Sequence, residues 1–112
     1  MIYLDNSATT RPYDSVISAV SHFMEEEYGN PSSLHRMGLQ SEKAVKTARH
    51  QIAGGLNCPD NQIVFTSGGT ESDNLAILGT AAALGRRGKH IVTSQIEHPA
   101  VLEACKKLEQ QG

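Results

Sequence analysis

The arrangement of residues best suited to chemistry is a glycine turn between a short β-branched run and the start of a helical pattern. Residues 63–66 are followed by Ser-Gly-Gly-Thr at 67–70, and helical spacing begins at Glu71. Two glycines let a ligand come close to the backbone at Gly69, the first N–H groups of a helix attract anions, and Thr70 adds a hydroxyl donor. The turn therefore predicts an anion site that suits a phosphate monoester.

A plainer interpretation of the same turn needs no ligand. The glycines would only make a tight connection, Thr70 would cap the helix, and Asp73 would be a weak capping-box partner. On local sequence alone this interpretation is favoured. The turn is neither a P-loop, since no lysine follows the glycines at the required spacing, nor a GxGxxG loop.

The second candidate is His98, which lies between a β-branched run at residues 89–94 and a helix that opens at Pro99. Ligands of α/β proteins bind beyond the ends of strands. A histidine there exchanges protons near neutral pH, and its flat ring can stack on an aromatic cofactor. A loop histidine without a role is the default interpretation of any lone histidine, so the motif leaves both open.

Four stretches of the chain together resemble the NifS and IscS branch of the cysteine desulfurases, which are class V aminotransferases of pyridoxal phosphate (PLP) fold-type I. They occur in the family's order as residues 3–10 (YLDNSATT), 29–35 (GNPSSLH), 65–74 (FTSGGTESDN) and 97–101 (EHPAV). Each is weak alone, but the four in register are a strong match, and the resemblance runs over essentially the whole chain. The loop at 29–35 favours this branch over the SufS-like one.

The resemblance implies roles for three residues. Gly69 and Thr70 match the positions whose backbone and hydroxyl hold the PLP phosphate, which favours the anion site over the plainer interpretation. His98 matches the histidine that stacks on the PLP ring and helps proton transfer, so it is both a catalytic and a cofactor-binding candidate. Three more residues match motif positions without an assigned chemistry, namely Asp5, Asn30 and His35.

Other parts of the family's site are missing from the 112 residues. In the family a lysine after a histidine forms the Schiff base with PLP, and a loop cysteine takes sulfur from L-cysteine, leaving L-alanine and an enzyme persulfide. Here only the reverse order, Lys89-His90, occurs. We therefore expect the N-terminal fragment of a desulfurase that supplies sulfur for iron–sulfur clusters or tRNA thiolation. Alone, it should bind PLP weakly at best and be inactive.

Two alternatives belong to other classes of function. The chain would be a truncated, non-catalytic binding or assembly module in one, and part of another class V PLP enzyme, such as a selenocysteine lyase, in the other. For the parent desulfurase, the resemblance implies a homodimer that acts on L-cysteine. It also implies transfer of sulfur to an iron–sulfur scaffold or another acceptor protein.

The elements that must position these residues alternate between helices and short β-branched runs. Apolar spacing predicts helices from Pro12 to Gly29, at 34–56, at 71–84 and from Pro99, and strands are predicted at 2–4, 62–66 and 89–94. The class is α/β, and by resemblance the chain is the N-terminal part of a fold-type I large domain with an incomplete sheet. Residues 1–30 would form a small-domain or dimer arm of the parent, and residues 31–112 would start its PLP-binding domain.

The composition argues against several kinds of partner. Ten Lys and Arg against twelve Asp and Glu give a net charge of −2, so the chain has no positive electrostatic field that would attract nucleic acid or anionic lipid. The longest mostly apolar stretch, 75–85, is shorter than the ~20 residues that span a bilayer. Cys58 and Cys105 have neither metal-ligand spacing nor the density of a disulfide framework. With no secretory leader at the start, we expect a cytoplasmic protein.

Overall fold

A computed structural model of the chain describes residues 2–112, which contain four α-helices joined by loops. They are α1 (Asp14–Glu25), α2 (Arg36–Leu56), α3 (Gly69–Leu84) and α4 (Pro99–Gln111), with a short 3-10 helix at Asp60–Gln62. The chain divides into two compact units, Met1–Ile63 and Val64–Gly112. Of the described helices, none is both long enough and apolar enough to cross a membrane.

In the first unit, the loop before α2 packs onto the first turns of that helix. His35 is the N-cap of α2, and its Nδ1 accepts the backbone N–H of Gly38 at 3.3 Å. Gly38 is buried, and a Cβ added there would lie 2.8 Å from the carbonyl oxygen of Asn30. Ser41 is also buried and donates its hydroxyl to the carbonyl of Glu27 at 3.1 Å. These contacts fix how the chain enters α2.

The C-terminal end of α2 is closed by a left-handed residue. Asn57 has φ 53° and ψ 46°, a conformation that asparagine tolerates better than most residues. The N–H of Asn57 bonds to the carbonyl of Gly54 at 3.3 Å, and that of Cys58 bonds to the carbonyl of Ala53 at 3.0 Å. Two carbonyls of the last turn, those of Ala53 and Gly54, are therefore satisfied by the cap.

In the second unit, α3 packs against α4. Ala100 and Ala104 lie four residues apart on one face of α4 and are 8% and 2% exposed. Small side chains at this spacing let two helices approach closely. Since α3 is the helix that contacts α4, the two alanines mark the packed face of the pair, at the end where α4 begins.

The predicted strands do not form. No strand occurs among residues 2–112, and the segments at 2–4, 62–66 and 89–94 lie in loops, apart from Gln62 at the end of the 3-10 helix. A strand requires a neighbouring strand to complete its backbone ladder, and the described chain offers none. Apolar side chains of these segments stay exposed, as in Leu4 at 90% and Val92 at 84%. The helices of the α/β prediction are present, and its incomplete sheet is not confirmed.

Two helices begin later than their patterns predict. Tyr13 is the N-cap of α1, with extended φ −62° and ψ 151°, so Pro12 lies outside the helix that it was expected to open. This helix also ends at Glu25, four residues before the predicted break at Gly29. Because His35 is extended and caps α2, that helix begins at Arg36 rather than at residue 34. In both cases the residue before the helix adopts the conformation of a cap.

Candidate functional site

The start of α3 presents backbone donors that no protein group uses. Gly68 is the N-cap, in extended conformation with φ 164° and ψ −177°, and it has no side chain with which to cap the helix. The N–H of Ser72 is the first that bonds back, to the carbonyl of Gly68 at 3.1 Å. Among the described residues, the N–H groups of Gly69 and Thr70 have no acceptor. Unsatisfied N–H groups at a helix start attract anions.

The hydroxyl of Thr70 adds a third donor beside these two N–H groups. Thr70 is exposed, and no group within residues 2–112 bonds to its Oγ1. The N-cap is Gly68 and not Thr70, so Thr70 does not make the cap that the plainer interpretation assigned to it. A Cβ added at Gly68 or Gly69 would meet nothing within 4 Å, so the space over the turn is open. This donor set fits the acceptor oxygens of a phosphate.

A carboxylate bonds to the first residue of the turn. Glu71 Oε2 accepts both the hydroxyl and the backbone N–H of Ser67, each at 2.6 Å. The Ser67 hydroxyl, followed by its N–H, lowers the pKa of Glu71 below its ordinary value of 4.5. The carboxylate is therefore ionised at neutral pH and bonds to Ser67 rather than to the free N–H groups of Gly69 and Thr70.

His98 is the N-cap of α4. Its Nδ1 accepts the backbone N–H of Ala100 at 3.1 Å, and Pro99 occupies the first helical position, where no N–H is needed. Because Nδ1 accepts this bond, the neutral ring carries its proton on Nε2. The residue is exposed, and within the described chain no group bonds to Nε2. One ring nitrogen thus holds the helix while the other is available to a ligand.

Asn74 joins the starts of the two helices, and sequence reasoning gave it no role. Its Nδ2 lies 2.9 Å from the carbonyl oxygen of Thr70 and 3.5 Å from that of Ala100. The second unit therefore contains Gly69 and Thr70 at one helix start and His98 at the other, with Asn74 between them. The available sequence signal was an asparagine one helical turn after Thr70, where its side chain reaches that carbonyl.

The remaining candidates shape local structure. The Asp5 carbonyl accepts two backbone N–H groups of the turn that follows it, the Asn30 side chain accepts one at 2.9 Å, and His35 caps α2. Cys58 and Cys105 are half-buried free thiols. None of these five lies at the start of α3 or α4.

Comparison with known proteins assigns the chain to a family. The aminotransferase class-V family matches residues 2–112. Cysteine desulfurase IscS of Dictyoglomus turgidum is 49% identical over 99% of this chain, and a cysteine desulfurase of Nostoc sp. is 51% identical over 100% of it. The chain spans about 28% of the length of each of these two relatives.

Solved structures give the same result. A NifS-like protein superposes with a TM-score of 0.89 at 40% identity, covering 99% of this chain and 30% of that protein. The structure described as SspA in complex with cysteine superposes with a TM-score of 0.87 at 37% identity, covering 100% of this chain and 32% of that one. The resemblance to NifS- and IscS-like desulfurases is therefore confirmed, and the chain belongs to the aminotransferase class-V family.

Proposed function

We propose that this chain is the N-terminal segment of a PLP-dependent cysteine desulfurase. The whole enzyme converts L-cysteine to L-alanine and passes the sulfur to one of its own cysteine thiols as a persulfide, for iron–sulfur clusters or tRNA thiolation. Two matched relatives carry the name cysteine desulfurase, and a matched structure is described as a complex with cysteine. The observation that carries the proposal is the unpartnered donor set of Gly69 and Thr70 at the start of α3.

Gly69 and Thr70 hold the phosphate of PLP in this proposal. Two backbone N–H groups and one hydroxyl are free at the start of α3, where the helix dipole also favours negative charge. Glu71 is kept from competing for these donors because its carboxylate is bonded to Ser67. In this proposal the turn needs little rearrangement to bind a phosphate.

His98 supplies a ring and a proton donor. PLP, when bound, provides an electron-withdrawing pyridine ring that stabilises negative charge next to the substrate's amino group. With PLP bound, the imidazole of His98 would stack on that ring, and its Nε2 would hold the proton that is exchanged with the substrate. The cap at Nδ1 restricts rotation of the imidazole, since turning the ring would cost the bond to the N–H of Ala100.

The chain needs groups from elsewhere in a full-length protein to complete this reaction. The family's lysine anchor and its sulfur-accepting cysteine are not among the motif matches in residues 1–112. We therefore propose that the chain alone is inactive. We also propose that the parent protein is a cytoplasmic homodimer that passes sulfur to an acceptor protein. Residues 1–30 would belong to a small-domain or dimer arm, and residues 31–112 to the PLP-binding domain.

The test is a product assay on the full-length protein. With L-cysteine and a thiol reductant, we expect L-alanine and released sulfide in equal amounts, and no product after PLP is removed by dialysis against hydroxylamine. A parallel reaction with L-selenocysteine identifies a selenocysteine lyase if only that substrate turns over. Absence of alanine from both substrates, with PLP bound, would contradict the proposal and favour a non-catalytic module.

A further inference from the structure

The amide of Asn74 is the polar side chain that connects the two halves of the proposed site. Its Nδ2 donates to the carbonyl oxygen of Thr70 at 2.9 Å on its own helix. The same nitrogen lies 3.5 Å from the carbonyl oxygen of Ala100 on α4, 26 residues further along the chain. The side chain is half-buried, and its contact to Ala100 is partly shielded from water, whereas its contact to Thr70 is exposed.

Ala100, the residue of α4 that Asn74 contacts, also contacts His98. Ala100 offers its carbonyl to Asn74 and its N–H to Nδ1 of His98, the latter at 3.1 Å. Ala100 is 8% exposed and lies on the packed face of α4, so it has little freedom to move. A continuous set of hydrogen bonds therefore runs from Thr70 through Asn74 and Ala100 to His98.

Asparagine matches what this position requires. An NH₂ group has two hydrogens, and the two acceptors here are both carbonyl oxygens. An aspartate would set its carboxylate oxygen against carbonyl oxygens, and a leucine would fill a similar volume without donating to either. Both substitutions would leave the partly buried carbonyl of Ala100 without its donor from α3.

We propose that Asn74 is a positioning residue that fixes His98 relative to Thr70, so that the contacts to the phosphate and to the ring of PLP are set together. The proposal rests on the proposed function, because it assigns Thr70 and His98 to the two ends of one cofactor. Asn74 itself does not touch the cofactor, and it acts through the carbonyls of Thr70 and Ala100.

The expected consequence is energetic coupling between the two ends of the site. In the full-length enzyme, Thr70→Val and His98→Asn should each raise the dissociation constant of PLP. The change in the PLP dissociation constant of the double variant should differ from the product of the two single changes by about threefold or more, as for residues within one network. In the Asn74→Leu background, the change in the PLP dissociation constant of the double variant should equal the product of the two single changes within about twofold, since unconnected sites act independently.

Equilibrium dialysis of PLP provides the measurement, and the visible circular dichroism of bound PLP provides a second readout of ring orientation. Asn74→Asp is a second variant in case leucine impairs folding, and Asn61→Asp is its matched control. Asn61 is exposed and has no side-chain hydrogen bond within the described residues. We expect Asn74→Asp, but not Asn61→Asp, to weaken PLP binding and change the dichroism.

The outcomes separate the two proposals. If Thr70→Val and His98→Asn both leave the PLP dissociation constant unchanged, the proposed site itself is wrong. If both weaken binding but the double variant follows the product rule with Asn74 present, the site stands and the role of Asn74 is overturned. Unchanged dichroism in a folded Asn74→Asp enzyme would also overturn that role.

Discussion

At the scale of single residues, the structure shows that His98 caps a helix, in addition to the role that we propose for it at the cofactor. The sequence resemblance assigned His98 to stacking on the PLP ring and to proton transfer, and the structure shows that Nδ1 accepts the N–H of Ala100 as a helix cap. Only Nε2 is left for chemistry. Replacing this histidine therefore changes two things at once, the helix start and the proposed site, and the two effects must be separated by the choice of substitution.

Asparagine and alanine at position 98 make that separation. We expect His98→Asn to keep the cap, because its side-chain oxygen can accept the same N–H, and His98→Ala to lose about 1 kcal/mol of stability. Both should lower the turnover number of the full-length enzyme by about 100-fold or more, since both remove the proton donor at Nε2. At a saturating concentration of PLP, both variants should still hold the cofactor despite its lower affinity. Turnover of His98→Asn equal to that of the wild type would remove His98 from catalysis.

The lowered pKa of Glu71 predicts that the stability of the turn before α3 depends on pH. Its folded pKa is lowered from 4.5 by the hydroxyl and N–H of Ser67, so its contribution to stability is present above pH 4.5 and is lost as pH falls through the lower folded value. The amide resonance of Ser67 should shift over that acidic range in the full-length protein, and Glu71→Gln should abolish the shift. A Ser67 amide that titrates identically in the Glu71→Gln variant would contradict the assignment.

At the scale of elements, helices were predictable from sequence and strands were not realised. Apolar spacing of 3.6 residues reports one face of a single helix, and the four helices are found within a few residues of their predicted ranges. The run at 89–94 has strand composition, but a strand also depends on a partner that the local sequence does not contain. The role of Asn74 was hidden for a similar reason, because its contact to Ala100 spans 26 residues.

Two glycines of α2 should respond in opposite ways to alanine. A Cβ at Gly38 would press on the backbone of the preceding loop, at 2.8 Å from the Asn30 carbonyl, so Gly38→Ala should cost about 1–3 kcal/mol. A Cβ at Gly54 meets nothing within 4 Å, and Gly54→Ala should stabilise the protein by about 0.5–1 kcal/mol. Urea denaturation of the full-length protein measures both. Equal effects of the two substitutions would contradict the packing at Gly38.

At the scale of the whole molecule, much apolar surface is left without a protein partner. Large apolar side chains along α1 are between 37% and 74% exposed, namely Val16, Ile17, Val20, Phe23 and Met24. In the second unit, Val92 and Ile96 are 84% and 94% exposed. Exposed apolar surface of this extent favours association. The chain also spans only about 28% of the length of the IscS relative that it matches.

For the isolated 112-residue chain we therefore expect self-association and no desulfurase activity. Size-exclusion chromatography should show species larger than a monomer of 12.1 kDa. Incubation with PLP, L-cysteine and a reductant should give neither sulfide nor alanine, while the full-length protein, assayed in parallel, should give both. Repeated turnover by a well-folded monomer with stoichiometric PLP would show that these residues suffice by themselves.

The central claim is that Gly69 and Thr70 hold the phosphate of PLP, and the affinity of PLP for Thr70→Val in the full-length protein tests it most directly. Loss of a charge-assisted hydrogen bond should weaken PLP binding by about 1–3 kcal/mol in equilibrium dialysis, whereas pyridoxal, which lacks the phosphate, should bind both proteins equally. Thr80→Val is the matched control, because Thr80 is exposed on the same helix with no side-chain hydrogen bond in the described chain. Equal PLP affinity of Thr70→Val and wild type would contradict the account.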